Sequence, residues 1–351
     1  MIKDIIKKQI RKTSVVRELE KDKENLKTQI NYLEKEKLNL IGDKLRLEEE
    51  NEKLCTVPNF NGLNLSLKGK EGYLFLINDS NNEIRQHFDQ SYLNNFNSSF
   101  FIEKLEFKKE YCINNKIKYF FFIVPDKSYV CRNLLPFDIK IIKRNYDLIK
   151  HLVPDFSNKL DSKCYRKTDT HINFYGGRVL SYNILNYIDN NFKRNDFDKL
   201  IDEQTIIDHN SLHYCDLLSS DNWSYSDEEK LEYQNEKTII ILNKCLKSIK
   251  ENLPEKFKSS FGRETFYYLN KNGFSDLKVL IMGDSSTMFL ENVLSVYFKE
   301  LLVYWDHWIF DKELVEWYKP DVIIDIRTER FLEHMEKEII NRNKEYQLNN
   351  K

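Results

Sequence analysis

Between residues 16 and 54, leucine recurs every seven positions, at Leu19, Leu26, Leu33, Leu40, Leu47 and Leu54. Taking these as the d positions of a heptad puts Val16, Lys23, Ile30, Lys37, Lys44 and Asn51 at a. Leucine at d keeps a seam facing a partner helix, and polar side chains at a disfavour higher-order bundles. A strict seven-residue period also imposes a left-handed supercoil. The pattern predicts a long helix that pairs with a second copy as a parallel coiled-coil homodimer, the alternative being a helix packed on its own domain. Gly42 lowers helicity but stays off the seam.

After Leu54 the pattern changes. Pro, Gly and Asn punctuate "TVPNFNGLNLSLKGKEGYLFL", which divides the chain into an N-terminal helical segment, 1–56, and a globular body, 57–351. In the body, "IKYFFFIV" (117–124) is a continuous apolar run of the kind buried on both faces of a parallel sheet. A helix is expected around 139–152, and Val179, Leu180, Ile184, Leu185 and Ile188 mark another. Residues 190–236 are polar and read as loops and short helices, while "KTIIILN" reads as a strand. The end of the chain alternates regularly: strand 278–282, helix 286–298, strand 301–305, helix 311–318, strand 321–326, helix 328–341. Such alternation predicts an α/β fold, a parallel sheet flanked by helices on both faces.

Composition narrows the function classes. Lys and Arg number 55 against 56 Asp and Glu, so no global field favours nucleic acid. The six cysteines are scattered without a C-x-x-C pair, which fits a reducing compartment better than a disulfide framework. His209 and His213, at helical i, i+4 spacing near Cys215, lack a further ligand cluster, and no metal is expected. The first 17 residues carry charge without the apolar core of a secretory signal, and no window approaches the roughly 18 apolar residues of a membrane span. The expected location is the cytoplasm. Ile2, Ile6 and Ile10 share a helical face ringed by Lys3, Lys7, Lys8, Arg11 and Lys12, suited to peripheral contact with an anionic membrane at its inner face. The alternative for that face is a solvated lead into the coiled coil.

The candidate chemistry centres on "VLIMGDSS". Ligands bind at the carboxyl ends of the strands in such sheets, and this strand delivers Gly283, Asp284 and Ser285 to that edge. A helix starting there would aim its free N–H groups at the same place. Alone, Asp284 or Ser285 reads as a helix cap. A nucleophilic serine needs a base, and "TDTH" offers His171 with Asp169 two residues earlier, on the same side of an extended backbone. Asp169 would hold one ring nitrogen protonated and leave the other to take the Ser285 proton.

"GDS" after a strand resembles the nucleophile block of the SGNH (GDSL-like) esterases and acyltransferases. A D-x-H lying about 110 residues before the serine reverses their usual order. That reversal resembles the alginate O-acetyltransferase branch. Also similar to that branch, in the expected order across residues 69–333, are "GKEGYLFL", "FFIVPDKSYVCRNLLP", "TDTHINFYGG" and "WDHWIFDKELVEWYKPDVIIDIRTERFL". The resemblance implies an SGNH-hydrolase-like domain with Ser285 as nucleophile, His171 as base and Asp169 as its orienting partner. Tyr175, Asp306 and Arg330 lie in matching motifs and are expected to line the substrate site, unless they are structural. The N–H groups of Ser285 and of the next residues are candidate oxyanion donors. Ser286 stands where that family often has an aromatic residue.

The alginate proteins act in the periplasm, whereas this N-terminus shows no export signal, so donor and acceptor do not carry over. The expected activity is a serine-dependent O-acetyltransferase acting on a bacterial surface polysaccharide or its glycan precursor. No bound cofactor is expected, with acetyl-CoA as a possible donor and a carbohydrate as acceptor. The alternatives are a carbohydrate O-acetyl esterase with the same triad and a non-catalytic coiled-coil scaffold.

Overall fold

The computed structural model describes residues 2–54, 60, 63–89, 92, 96–137, 144–212, 215–219, 226, 237–260, 262–306 and 310–334. The chain divides into two units, Met1–Thr56 and Val57–Lys351. In the first, α1 (Ile2–Leu54) is a single helix through all the heptads. Leu26, Ile30, Leu33 and Leu40 on its seam are 53–65% exposed.

The second unit is built around one sheet. Its described elements begin with the hairpin β1 (Ser66–Lys68) and β2 (Leu74–Leu76), α2 (Glu83–Phe88), α3 (Ser98–Asn114), β3 (Lys118–Val124) and α4 (Lys127–Val130). Then come α5 (Phe174–Ile188), α6 (Arg194–Gln204), β4 (Thr205–Leu212), β5 (Lys237–Asn243), β6 (Leu246–Ser248), β7 (Ser259–Ser260), β8 (Arg263–Glu264) and β9 (Phe266–Asn270). Last are β10 (Ser275–Gly283), α7 (Glu291–Leu294), β11 (Phe298–Trp305), α8 (Lys312–Tyr318) and β12 (Val322–Thr328). The central sheet has six strands in the order β3-β12-β10-β11-β9-β6. The first four are mutually parallel, and β9 and β6 extend the sheet antiparallel.

The unbroken apolar run of β10 follows from burial on both faces. Val279 and Ile281 join the core on which Leu180, Ile184 and Leu185 of α5 pack. Leu280 and Met282 point to the opposite face, against Leu314, Val315 and Tyr318 of α8. Each such side chain contributes roughly 1.5–3 kcal/mol by leaving water. In β3, Phe121 and Ile123 meet Phe101 and Leu105 of α3, which completes a helix–sheet–helix sandwich.

Three expected helices differ. Residues 286–298 do not form one helix: a 3-10 turn, Ser285–Phe289, leads into the short α7, and β11 begins at Phe298. Leu290, Val293, Leu294, Val296, Tyr297 and Phe298 are all buried. So dense a buried run has no polar face to define a helical stripe, and packing divides it among a turn, a short helix and a strand. The stretch expected as helix 139–152 shows a 3-10 turn at Asn145–Leu148, with 138–143 outside the described residues. The last expected helix shows a 3-10 segment, Glu329–His334, and residues 335–351 lie outside the described ones. The polar region 190–236 contains α6 and β4, and β4 pairs antiparallel with β5. His209 therefore lies in a strand, where i, i+4 spacing has no helical meaning; its side chain and His213 lie outside the described residues.

Candidate active site

The parallel strands end at one edge, and their exits carry the candidate residues: Asp126 and Lys127 after β3, Asp284 and Ser285 after β10, Asp306 after β11, Glu329 and Arg330 after β12. Gly283 is required by close approach. A Cβ there would lie 2.5 Å from Ile326 O and 2.4 Å from Thr287 Cγ2.

The helix-capping function suspected of this motif falls to Asp284. Its Oδ1 accepts the Ser286 N–H at 2.9 Å and the Thr328 hydroxyl at 3.0 Å, and its Oδ2 accepts the Thr328 N–H at 2.7 Å. One buried carboxylate thus clamps the exit of β10 to the end of β12. Ser285 is released from capping, and its Oγ lies 2.8 Å from His171 Nε2. His171 Nδ1 lies 2.6 Å from Asp169 Oδ1, which also accepts the His171 N–H at 2.9 Å. A carboxylate at Nδ1 fixes the proton there and leaves Nε2 as the acceptor for the serine hydroxyl.

The alignment of Asp169 with His171 has a different origin from the extended segment expected. Residues 167–171 are bends, closed by the Tyr165–Ile172 bridge and by the Arg166 N–H donating to His171 O at 3.1 Å. The turn is tied from beneath by buried Lys127, whose Nζ donates to Lys167 O at 2.7 Å and Asp169 O at 3.0 Å. Burial pushes that ammonium down to about 8. Asp216 holds the other side: it accepts the Thr170 N–H at 2.9 Å and the Thr170 hydroxyl at 2.5 Å, and its Oδ2 is 3.7 Å from His171 Nδ1. Neither Lys127 nor Asp216 was singled out from sequence. "PDK" carried a signal of sorts, a charged residue at a strand exit, whereas Asp216 lay in the unassigned polar region.

Asn173 starts α5 by accepting the Tyr175 and Gly176 N–H groups. Gly177 then brings the helix against the serine turn, since a Cβ there would sit 2.7 Å from Phe289 O. The Phe289 ring packs on His171 with centroids 4.8 Å apart. Gly177→Ala is expected to cost about 1–3 kcal/mol through this clash. Thermal unfolding checks it, and an unchanged midpoint would mean that the turn yields freely.

The three other expected site residues are placed apart from one another in role. Tyr175 is 53% exposed at the start of α5, four residues after the histidine. Asp306 is buried and pairs with Arg327, one contact being 2.6 Å. Arg330 is also buried, with Nη1 2.8 Å from Asp126 and 3.3 Å from Glu83. Burial, then the charge of Asp126, pushes the Glu83 carboxyl up to about 7. Asp306 and Arg330 have their charged groups in ion pairs within the protein, a structural arrangement beneath the edge.

Asp169, His171 and Asp216 present ligand-type atoms within 4.8 Å of one another, as do His87, Asp126 and Glu329. In the first cluster the atoms are engaged by Thr170 and by each other. In the second, Arg144 and Arg330 already supply the positive charge, with Arg144 Nη2 2.5 Å from Glu329 and Arg330 2.8 Å from Asp126. The arginines balance the carboxylates of the second cluster, although its His87 Nδ1 is buried without a hydrogen-bond partner, 4.0 Å from Glu329.

Fold and geometry together place Ser285, His171 and Asp169 in a hydrogen-bonded series at the carboxyl edge of a mostly parallel α/β sheet. Comparison with protein families and with curated proteins gives no match. Solved structures do match. Bacillus cereus PatB1 with a sulfonyl adduct is 13% identical, with 76% of this chain and 97% of that one covered and a TM-score of 0.50, a likeness that shows the fold. The O-acetyltransferase domain of Pseudomonas putida AlgJ is 13% identical over 81% of this chain and 98% of that one, with a TM-score of 0.44. Pseudomonas aeruginosa AlgX is 14% identical over 75% of this chain and 61% of that one, with a TM-score of 0.40.

Proposed function

We propose that this chain is a serine-dependent O-acetyltransferase that modifies a polysaccharide or its glycan precursor through an acetyl-serine intermediate. The observation that carries the reading is the hydrogen-bonded series Ser285–His171–Asp169, with its 2.8 Å and 2.6 Å contacts. The ordered motifs that resemble the alginate branch, and the fold held in common with PatB1, support it.

In this reading Ser285 Oγ attacks the acetyl carbonyl carbon while His171 Nε2 takes its proton. The tetrahedral intermediate collapses, and the departing group of the donor, acetyl-CoA being the expected one, takes that proton. The sugar hydroxyl then attacks the acetyl carbon and gives its proton to His171. Ser285 Oγ leaves and recovers the proton. Among the oxyanion donors named from the sequence, the Ser286 N–H is committed to Asp284 Oδ1 and the Thr287 N–H to Asp284 O. That leaves the Ser285 N–H, worth on the order of 3 kcal/mol when aimed at the oxyanion. A second copy of the chain is the proposed cover for the exposed leucines of α1. Among the described residues no helix is long and apolar enough to cross a membrane. Contact of the basic N-terminal face with an anionic membrane surface remains part of the proposal.

The test is intact mass after brief exposure to p-nitrophenyl acetate. Wild type should gain a single acetyl, and Ser285→Ala and His171→Ala should gain none. No adduct and no p-nitrophenol release from wild type would sink the reading and favour the scaffold. An adduct that yields only free acetate in the presence of oligosaccharide acceptors would make the chain an esterase.

A further inference from the structure

A cavity of about 250 Å³ opens beside the serine turn. The turn itself supplies Thr287 and Met288 to its wall, α7 supplies Glu291, the end of β11 supplies Trp305, and β8 and β9 supply Arg263 and Phe266. Thr287 and Met288 lie two and three positions from Ser285, so the cavity adjoins the turn that carries the serine.

The chemistry of the wall is specific. Glu291 Oε2 is shielded from water and has no hydrogen-bond partner in the protein. Burial alone pushes this carboxyl up to about 8, so at neutral pH it is mostly protonated and both donates and accepts a hydrogen bond. Buried polar groups are as a rule hydrogen-bonded, and an orphan on a residue that lines a cavity points to a partner that the protein does not supply. Trp305 offers an aromatic platform, with the Arg263 guanidinium 5.0 Å from its ring centroid. Met288 is 49% exposed at the same wall. Apolar faces beside the Glu291 carboxyl suit a ring with C–H faces and hydroxyl or amide edges, the other carboxyl of the wall, Glu264, being paired with Lys250. A sugar carboxylate would crowd the Glu291 carboxyl, while the Arg263 guanidinium, which keeps its charge when stacked on Trp305, lines the same wall.

The geometry points to this cavity as the acceptor subsite, taking one neutral sugar ring that packs on Trp305 and hydrogen-bonds Glu291. The assignment rests on the acetyltransferase reading for its role in catalysis, but the binding it asserts is measured separately.

The experiment is calorimetric titration with chitotetraose, a neutral oligosaccharide, and with trigalacturonate, an anionic one. It uses the full chain as wild type and as Ser285→Ala, Trp305→Ala, Glu291→Leu and Glu291→Gln, each checked for an unchanged melting profile. Wild type and Ser285→Ala should bind chitotetraose alike. Trp305→Ala and Glu291→Leu should each weaken binding about tenfold or more, the usual scale for truncating a central anchor. Glu291→Gln, which still donates and accepts, should stay within about threefold of wild type. Trigalacturonate should bind at least about tenfold more weakly than chitotetraose. No chitotetraose binding by wild type, or binding indifferent to Trp305→Ala and Glu291→Leu, overturns the subsite. Equal binding of trigalacturonate overturns its preference for a neutral ring. Failure of serine acetylation in wild type would remove the transferase reading while leaving these affinities to decide the sugar site.

Discussion

Asp169→Asn should lower p-nitrophenol release by about 10³–10⁴-fold, the scale seen when the aspartate of a serine–histidine–aspartate triad becomes an amide. Asp169 Oδ1 accepts two N–H groups of the same residue, the His171 backbone and ring Nδ1. With its Oδ1 in the place of the Asp169 Oδ1, asparagine would set its amide N–H against the Asp216 N–H that Asp169 Oδ2 accepts at 3.3 Å, a clash of donors that flipping the amide relieves. The flipped amide gives up the backbone contact and turns its N–H toward Nδ1, which favours the tautomer with the proton on Nε2 and leaves it unable to accept from Ser285. Lys127 and the Arg166 N–H still tie the turn, so the melting temperature should change little. The loss corresponds to roughly 4–5.5 kcal/mol of transition-state stabilisation. Asp216 provides the discriminating control. Its Oδ2 is 3.7 Å from Nδ1, with the Thr170 hydroxyl 3.3 Å from the same nitrogen. If Asp169→Asn costs less than about tenfold and Asp216→Asn costs more, Asp216 is the orienting carboxylate and the assignment made here is wrong.

Much of this geometry was legible because its signals are local. "KVLIM" shows a doubly buried strand in five letters, and Gly283 marks its exit. The heptad leucines specify a long helix whatever covers them. The D-x-H and the serine were linked by a family resemblance, and folding brings them within 2.8 Å. Other features carried no local signal. The apolar pattern of Phe266–Asn270 tells of burial but not of direction, and β9 runs antiparallel to β11. The density of apolar residues in 289–298 was read as helix because both structures suit it, and packing chose a turn and an early strand. Asp216 and Thr170 are 46 residues apart, so their contact appears only in three dimensions. Asp306 and Arg330 were placed at the substrate site by the motifs that resemble the alginate branch, with a structural role as the alternative, because no local pattern tells whether a charge is buried. Here each found an opposite charge in the interior.

Those interior charges carry the largest expected effect on stability. Arg327 in β12 is fully buried and makes a two-pronged contact with the Asp306 carboxylate, and its Nη2 lies 2.9 Å from Asp325 Oδ1. Asp325 also receives Lys108 Nζ at 2.8 Å and the Tyr119 hydroxyl at 2.7 Å. Arg327→Met would leave Asp306 without its guanidinium, and breaking a buried pair from one side costs about 3–5 kcal/mol. The melting temperature should fall by roughly 6–15 °C. Replacing both partners, Arg327→Met with Asp306→Leu, should recover a large part of the loss, because the uncompensated charge goes with its carboxylate.

The pH dependence has a definite sign. Burial already holds the Asp306 carboxyl at about 6, above its ordinary range, while Arg327 pulls it down. Without the guanidinium its folded pKa rises further. A carboxyl whose pKa is higher folded than unfolded binds more protons in the native state, so stability falls as pH rises through that window. The deficit of Arg327→Met should therefore be larger at pH 8 than at pH 5. Denaturant unfolding at the two pH values decides the matter, and a deficit that grows toward pH 5 would mean that Asp306 is not the group left exposed to the loss.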